Sequence, residues 1–179
     1  MIYVFLANGF EETEALAPVD ILRRSGLEVC TVGVSGEYVT GSHNITVKAD
    51  ITEDKVDTEC IDAVVLPGGM PGTLNLEKSA VVKDCVSYCA QKGLPICAIC
   101  AAPSILGHMG LLKGKRATCF PGFETQLDGA VLVDELAVTD GNIVTGKGAG
   151  AAIEFGLQIA AVLAGKEKSE AVAAALQCR

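Results

Sequence analysis

The sequence predicts a parallel, doubly wound α/β sheet with one antiparallel hairpin at an edge. Three observations lead there. Short apolar runs alternate with helical periodicities along most of the 179 residues, the pattern left by successive βαβ units. Half of the residues are hydrophobic while aromatics make up only 4% and Trp is absent, so Leu, Val, Ile and Ala must fill the core, as suits a sheet covered by helices. The length supports one well-buried domain, spanning 1–179, and is short for two.

Taken in order, "IYVFLA" (2–7) reads as a buried strand and "EETEALAPVDILRRSG" (11–26) as a helix ending at Gly26. "LEVCTVGV" (27–34) is a second strand, and residues 37–48, with "TGSHN" in the middle, form a hairpin. "DAVVLPGG" (62–69) is a strand running into a glycine turn, followed by a helix over about 77–92. "LPICAIC" (94–100) is the next strand, with a helix to about 109, and "RATCF" (116–120) is a short strand. "VLVDELAVTDGNIVTG" (131–146) reads as a hairpin around Asp140-Gly141, and "GAAIEFGLQIAAVLAG" (150–165) as a long helix followed by a shorter one. There is no internal repeat, linker or low-complexity segment.

Charge and cysteine usage narrow the function classes. A formal charge of −8 with scattered Lys and Arg gives no basic footprint for nucleic acid. The apolar stretch near 149–164 carries Glu154 and Gln158 and is too short to span a bilayer. Met1 leads into "IYVFLA" without the charged and small-residue flanks of a secretory signal. The chain therefore reads as soluble and cytoplasmic, with its eight cysteines serving as free thiols of which one or two react. Two His, at 43 and 108, and no closely spaced ligand couples argue against a metal site.

In a doubly wound sheet the site lies beyond the carboxyl ends of the strands. Three loops qualify: "ANGFEETE" (7–14), "PGGMPGT" (67–73) and "CAAPS" (100–104). Cys100, flanked by Ala98 and Ala102 between a strand and a helix, has the setting of a nucleophile elbow, whose sharp turn needs small neighbours. The helix end beyond it favours thiolate, and Pro103 loses no hydrogen bond in the first turn. Cys97 and Cys100 do not read as a redox pair. Extended residues put their Cα atoms about 10 Å apart at roughly 3.3 Å per residue, whereas a disulfide needs under about 7 Å. Cys97 is thus a strand residue of the core, and Cys85 and Cys89 are packing neighbours on a helix.

"PGGMPGT" lacks the Lys-Ser/Thr ending of a phosphate loop. Its glycines suit either a plain turn or an oxyanion site in which the Gly69 and Ala101 amides act together. In the first helix Pro18 has no N–H, so the Glu14 carbonyl lacks its helical partner. Glu11, Glu12 and Glu14 share that first turn, where acids commonly face solvent as partners of the helix dipole, and the pattern alone does not choose among them.

Together, "ANGFEETEALAPVDILRRSG", "DAVVLPGG" and "AICAAP" resemble the DJ-1/PfpI superfamily, especially its DJ-1/ThiJ branch, to about residue 166. The resemblance implies a flavodoxin-like α/β/α sandwich with helices on both faces, assembled as a homodimer. It places the reactive elbow cysteine at Cys100, its partnering acid at Glu14 and the oxyanion amides at Gly69 and Ala101. Gly68, Phe120 and Gly148, the last in the "KGAG" turn (147–150), would border the pocket. Two departures are instructive. Ala101 follows the elbow where PfpI-type proteases carry His, which argues against proteolysis, and "CFPG" offers Phe120 where DJ-1 members carry His. His108, eight residues along a helix, would lie about 12 Å from the elbow, and no His follows it.

Cysteine and carboxyl chemistry remains, a protonated Glu14 donating to the Cys100 thiolate. The resemblance then implies a cofactor-free enzyme of the glyoxalase or deglycase type acting on small aldehydes or glycated substrates. Its rival is an oxidative-stress sensor or chaperone-like protein without turnover.

Overall fold

The computed structural model describes residues 1–178. Along the chain, β1 (Ile2–Leu6) leads to α1 (Glu12–Arg24) and β2 (Val29–Gly33), then to the hairpin of β3 (Tyr38–Thr40) and β4 (Thr46–Lys48). A short β5 (Ile51–Thr52) and β6 (Ala63–Leu66) precede α2 (Gly72–Lys78) and α3 (Ala80–Lys92). Next come β7 (Ile96–Ile99), α4 (Pro103–His108), β8 (Arg116–Ala117) and β9 (Val131–Leu132). The hairpin of β10 (Ala137–Asp140) and β11 (Ile143–Gly146) and the helices α5 (Ala152–Ala164) and α6 (Lys166–Ala175) complete it.

Seven strands form the main sheet in the order β10-β11-β7-β6-β1-β2-β5. Every pairing is parallel except β10 with β11, which is the expected antiparallel hairpin at one edge. β1, β6 and β7 are buried along their whole lengths, as strands covered on both faces must be. Alternate residues feed two cores. Phe5, Leu66 and Ile105 belong to one, while Leu6, Phe10, Phe155 and Ile159 belong to the other, under α1 and α5. Those two helices approach closely at Gly156, where a Cβ would stand 2.8 Å from Ile21 Cδ1 and 3.1 Å from Pro18 Cα.

Five details depart from the sequence reading. The single helix over 77–92 is two, because Ser79 turns extended and its side chain caps α3 by accepting from the Val82 N–H, a local exchange typical of serine. α2 begins at Gly72, inside what reads as a glycine turn. Only Arg116–Ala117 of "RATCF" is strand, and it pairs in parallel with β9 in a separate ribbon outside the main sheet. Val131–Leu132 therefore leaves the expected hairpin, whose turn falls on Gly141-Asn142 because Asp140 pairs with Ile143. The outer strand β5 is an addition, bonded to β2. Among the described residues no helix is long and apolar enough to cross a membrane.

Parallel pairing fixes the site. β1, β6, β7 and β11 run the same way as immediate neighbours, so the segments after Leu6, Leu66, Ile99 and Gly146 emerge along one edge.

Candidate functional site around Cys100 and Glu14

Cys100 occupies the turn between β7 and α4 with φ of 66°, a left-handed conformation that costs a residue with a Cβ about 1–2 kcal/mol. The surroundings hold it there. Its N–H donates to Gly146 O at 2.9 Å and its carbonyl accepts from Phe120 N at 2.9 Å, while fully buried Ala98 and Ala102 leave room for the bend. The elbow is thus anchored to β11 on one side and to the segment after β8 on the other. Pro103 opens α4, and Ser104 Oγ donates to Ala101 O at 2.7 Å.

The turn after β6 meets the start of α1. Glu11 N–H donates to Gly68 O at 2.9 Å, and Gly69 is left-handed with φ of 89°. A Cβ on Gly69 would come within 2.4 Å of Glu11 N, so only glycine fits. In the first turn of α1, Glu11 is the cap, its carboxylate accepting from Glu14 N at 2.7 Å. The Glu14 side chain turns inward instead. Its Oε2 accepts from the Gly68 N–H at 2.9 Å, and its Oε1 is buried without a partner.

Gly68 is the meeting point. A Cβ there would lie 2.6 Å from Cys100 Cβ, 2.6 Å from Glu14 Oε2 and 3.0 Å from Cys100 Sγ. Carboxyl and thiol therefore flank one point, and any side chain on Gly68 would displace one of them. On the other side of the acid, a Cβ at Gly148 would be 4.0 Å from Glu14 Oε1 and 3.2 Å from the Phe120 ring. The structure thus brings Glu14, Gly68, Gly69, Cys100, Ala101, Phe120 and Gly148 to one locus, with Phe120 at its exposed rim.

Electrostatics couple the two central groups. Burial pushes the Glu14 carboxyl up to about 7, against the pull of Cys100 and the Gly68 amide, with the Glu11 charge adding to the rise. Burial likewise pushes the Cys100 thiol up to about 12, helped by the neighbouring Glu14, while the Gly69 and Ala101 amides act in the opposite sense. Burial and the adjacent acid thus oppose the thiolate expected from the helix end, while the two amides favour it. Desolvation and the adjacent acid act against the end of the six-residue α4, and two groups this close are coupled in their titration.

The acids of this turn do not form a solvated face. Glu12 is buried as well, accepting from His43 N at 2.8 Å and meeting His43 Nδ1 at 3.0 Å, so it ties the β3–β4 tip to the helix start. Burial alone would raise the Glu12 carboxyl, but the His43 hydrogen bonds hold it below its ordinary value. Glu11, Glu12 and His43 bring ligand atoms within 4.8 Å of one another, a grouping unforeseen in the sequence because 31 residues separate Glu12 from His43. His108 bonds Glu77 at 2.5 Å. Each His thus has a carboxylate partner away from Cys100. Cys97, Cys85 and Cys89 are buried free thiols, in keeping with their reading as packing residues.

A model of the DJ-1/PfpI family matches residues 1–162. The chain belongs to the DJ-1/PfpI family. Protein dj-1beta of Drosophila melanogaster is 40% identical over 176 residues, covering 97% of this chain and 94% of that protein, and its crystal structure superposes with a TM-score of 0.94. A Toxoplasma gondii DJ-1, solved in an oxidized form, is 36% identical with a TM-score of 0.94, over 98% of this chain and 97% of that one. A protein named a deglycase from Pyrococcus horikoshii is 37% identical over 144 residues, 79% of this chain and 86% of its own. The fold is accordingly the flavodoxin-like α/β architecture of the DJ-1/PfpI family. Within that family this chain pairs its elbow cysteine with a glutamate and sets Phe120 beside both.

Proposed function

We propose that the protein is a cysteine-dependent enzyme that acts on reactive carbonyls, converting 2-oxoaldehydes to 2-hydroxy acids. The observation that carries this reading is the Cys100 thiol and the Glu14 carboxyl flanking a single point beside Gly68, with one carboxyl oxygen left unpartnered. Relatives named as deglycases support the same substrate class, including glycated groups.

Near neutral pH, ionised Glu14 takes the thiol proton as the sulfur attacks the aldehyde carbon, giving a hemithioacetal. The new oxyanion faces the Gly69 and Ala101 amides and receives a proton from Glu14. The carboxylate then removes the hydrogen on the former aldehyde carbon and returns a proton to the neighbouring carbon. An enediol thereby becomes a 2-hydroxy thioester with no net oxidation. Water hydrolyses the thioester, releasing the 2-hydroxy acid and restoring the thiol. Every proton moves through one residue, which suits a site where no His approaches the sulfur.

Methylglyoxal should yield lactate, and Cys100→Ser and Glu14→Gln should each reduce the yield by at least about 100-fold, the usual worth of a nucleophile or general base. Variants that match the parent would refute the mechanism.

A second reading rests on the same sulfur. The Gly69 and Ala101 amides favour a charged group at Cys100, and a protonated Glu14 would hydrogen-bond a sulfinate formed by peroxide. Addition of two oxygens confined to Cys100, without aldehyde turnover, would favour this sensor role. Indiscriminate oxidation of several cysteines would oppose it.

A further inference from the structure

We infer that the site selects 2-oxoaldehydes with an aromatic or bulky apolar substituent, and that Phe120 is the specificity-determining residue. This rests on the aldehyde chemistry proposed above and adds which aldehydes fit.

The unpartnered Glu14 Oε1, the Gly148 backbone and the Phe120 ring meet at one place. A cavity of about 390 Å³ opens there, walled by Phe120, Pro121, Leu136, the Lys147 side chain and the turn from Gly148 to Ala151. That volume falls in the range of small-molecule sites, about 300–1,000 Å³. Its walls are mainly apolar. Lys147, the one charged residue among them, is already paired with Asp134.

Cys100 and Glu14 are not among its walls; the cavity adjoins them through Gly148 and the Phe120 ring, where Glu14 Oε1 lies close by. The reacting carbonyls belong beside Cys100, Glu14 and the two amides, with the substituent directed past Gly148 into the cavity. The substituent must extend along Phe120 and Leu136, which are 47% and 57% exposed, so a ligand removes from water the apolar surface that the fold leaves open. The Phe120 backbone is bonded to the elbow itself through its N–H to Cys100 O, which keeps the ring at a fixed station relative to the sulfur. A methyl substituent reaches little of this wall. A phenyl ring meets Phe120 in edge or offset contact, adding about two- to tenfold beyond area burial, and each methylene-sized difference in an apolar pocket discriminates by about tenfold or more.

The test compares initial kcat/KM for phenylglyoxal, giving mandelate, with methylglyoxal, giving lactate, in the parent and in Phe120→Ala. The parent should prefer phenylglyoxal by about tenfold or more, and Phe120→Ala should cut that ratio at least threefold. No preference, or a ratio unmoved by the substitution, overturns the inference while leaving the chemistry standing. If neither aldehyde turns over, the proposed chemistry fails separately. Calorimetric binding of phenylglyoxylate and pyruvate to the Cys100→Ser protein then decides selectivity. Tighter phenylglyoxylate binding that Phe120→Ala abolishes upholds it, and equal binding overturns it.

Discussion

Glu14→Gln probes the buried acid directly through stability. The carboxyl rises from an ordinary 4.5 to about 7, chiefly because burial penalises its charge. Below about pH 4.5 it is protonated in both folded and unfolded chains and contributes nothing to the pH dependence. Between about pH 4.5 and 7 the unfolded chain releases the proton that the folded chain keeps, so folding stability falls as pH rises. Above about pH 7 the whole penalty is in place. At about 1.4 kcal/mol per pH unit, the rise amounts to about 3 kcal/mol. Glutamine retains an oxygen for the Gly68 N–H and carries no charge to desolvate.

The stability of Glu14→Gln relative to the parent should therefore improve by about 3 kcal/mol between pH 4 and pH 8. Urea denaturation under reducing conditions at one-unit steps measures this difference. The thiol is pushed up as well, from 9.0 to about 12, above the window measured. In thermal unfolding the same change corresponds to about 2–4 °C per kcal/mol for a chain of this size. A difference constant across the range would refute the raised carboxyl and the shared-proton argument with it.

Four further outcomes follow from the geometry. With ionised Glu14 accepting the thiol proton as proposed, kcat/KM should climb with pH through about 7, falling about tenfold per unit below pH 6; a flat profile would remove Glu14 from the mechanism. Gly68→Ala puts a Cβ 2.6 Å from both Cys100 Cβ and Glu14 Oε2, so it should cost about 1–3 kcal/mol and most of the activity, measured by denaturation and lactate formation. His43→Ala leaves the buried Glu12 carboxylate without its ring partner and should raise the Glu12 titration seen by carbon-13 NMR; an unchanged titration would show that the backbone bonds suffice. Cys97→Ala should leave turnover intact, since Cys97 is fully buried in β7 and outside the site, and a loss matching that of Cys100→Ser would restore the paired-cysteine reading.

Much of this was legible before any coordinates. Alternation of apolar runs revealed the parallel sheet, and small residues around Cys100 revealed the elbow, because both are local patterns. The misread elements depended on non-local partners. Ser79 divides a continuous helical periodicity by capping with its own side chain, and Arg116–Ala117 find Val131–Leu132 only through the tertiary fold. In the site, spacing could not choose among Glu11, Glu12 and Glu14. Orientation separates them: Glu11 caps, Glu12 holds the hairpin and Glu14 faces the thiol. The helix end beside Cys100 is visible in sequence, whereas the desolvation that opposes a thiolate there is not.

The central claim is that Cys100 captures the aldehyde with Glu14 as its only proton partner. Rapid quenching of methylglyoxal turnover, followed by peptide mass spectrometry, tests it most directly. The account predicts the mass of one methylglyoxal on the peptide carrying Cys100 during turnover, absent from the other cysteines. In Glu14→Gln any adduct should persist without lactate. Lactate formation with Cys100 unmodified throughout, or at an undiminished rate without Glu14, would contradict it.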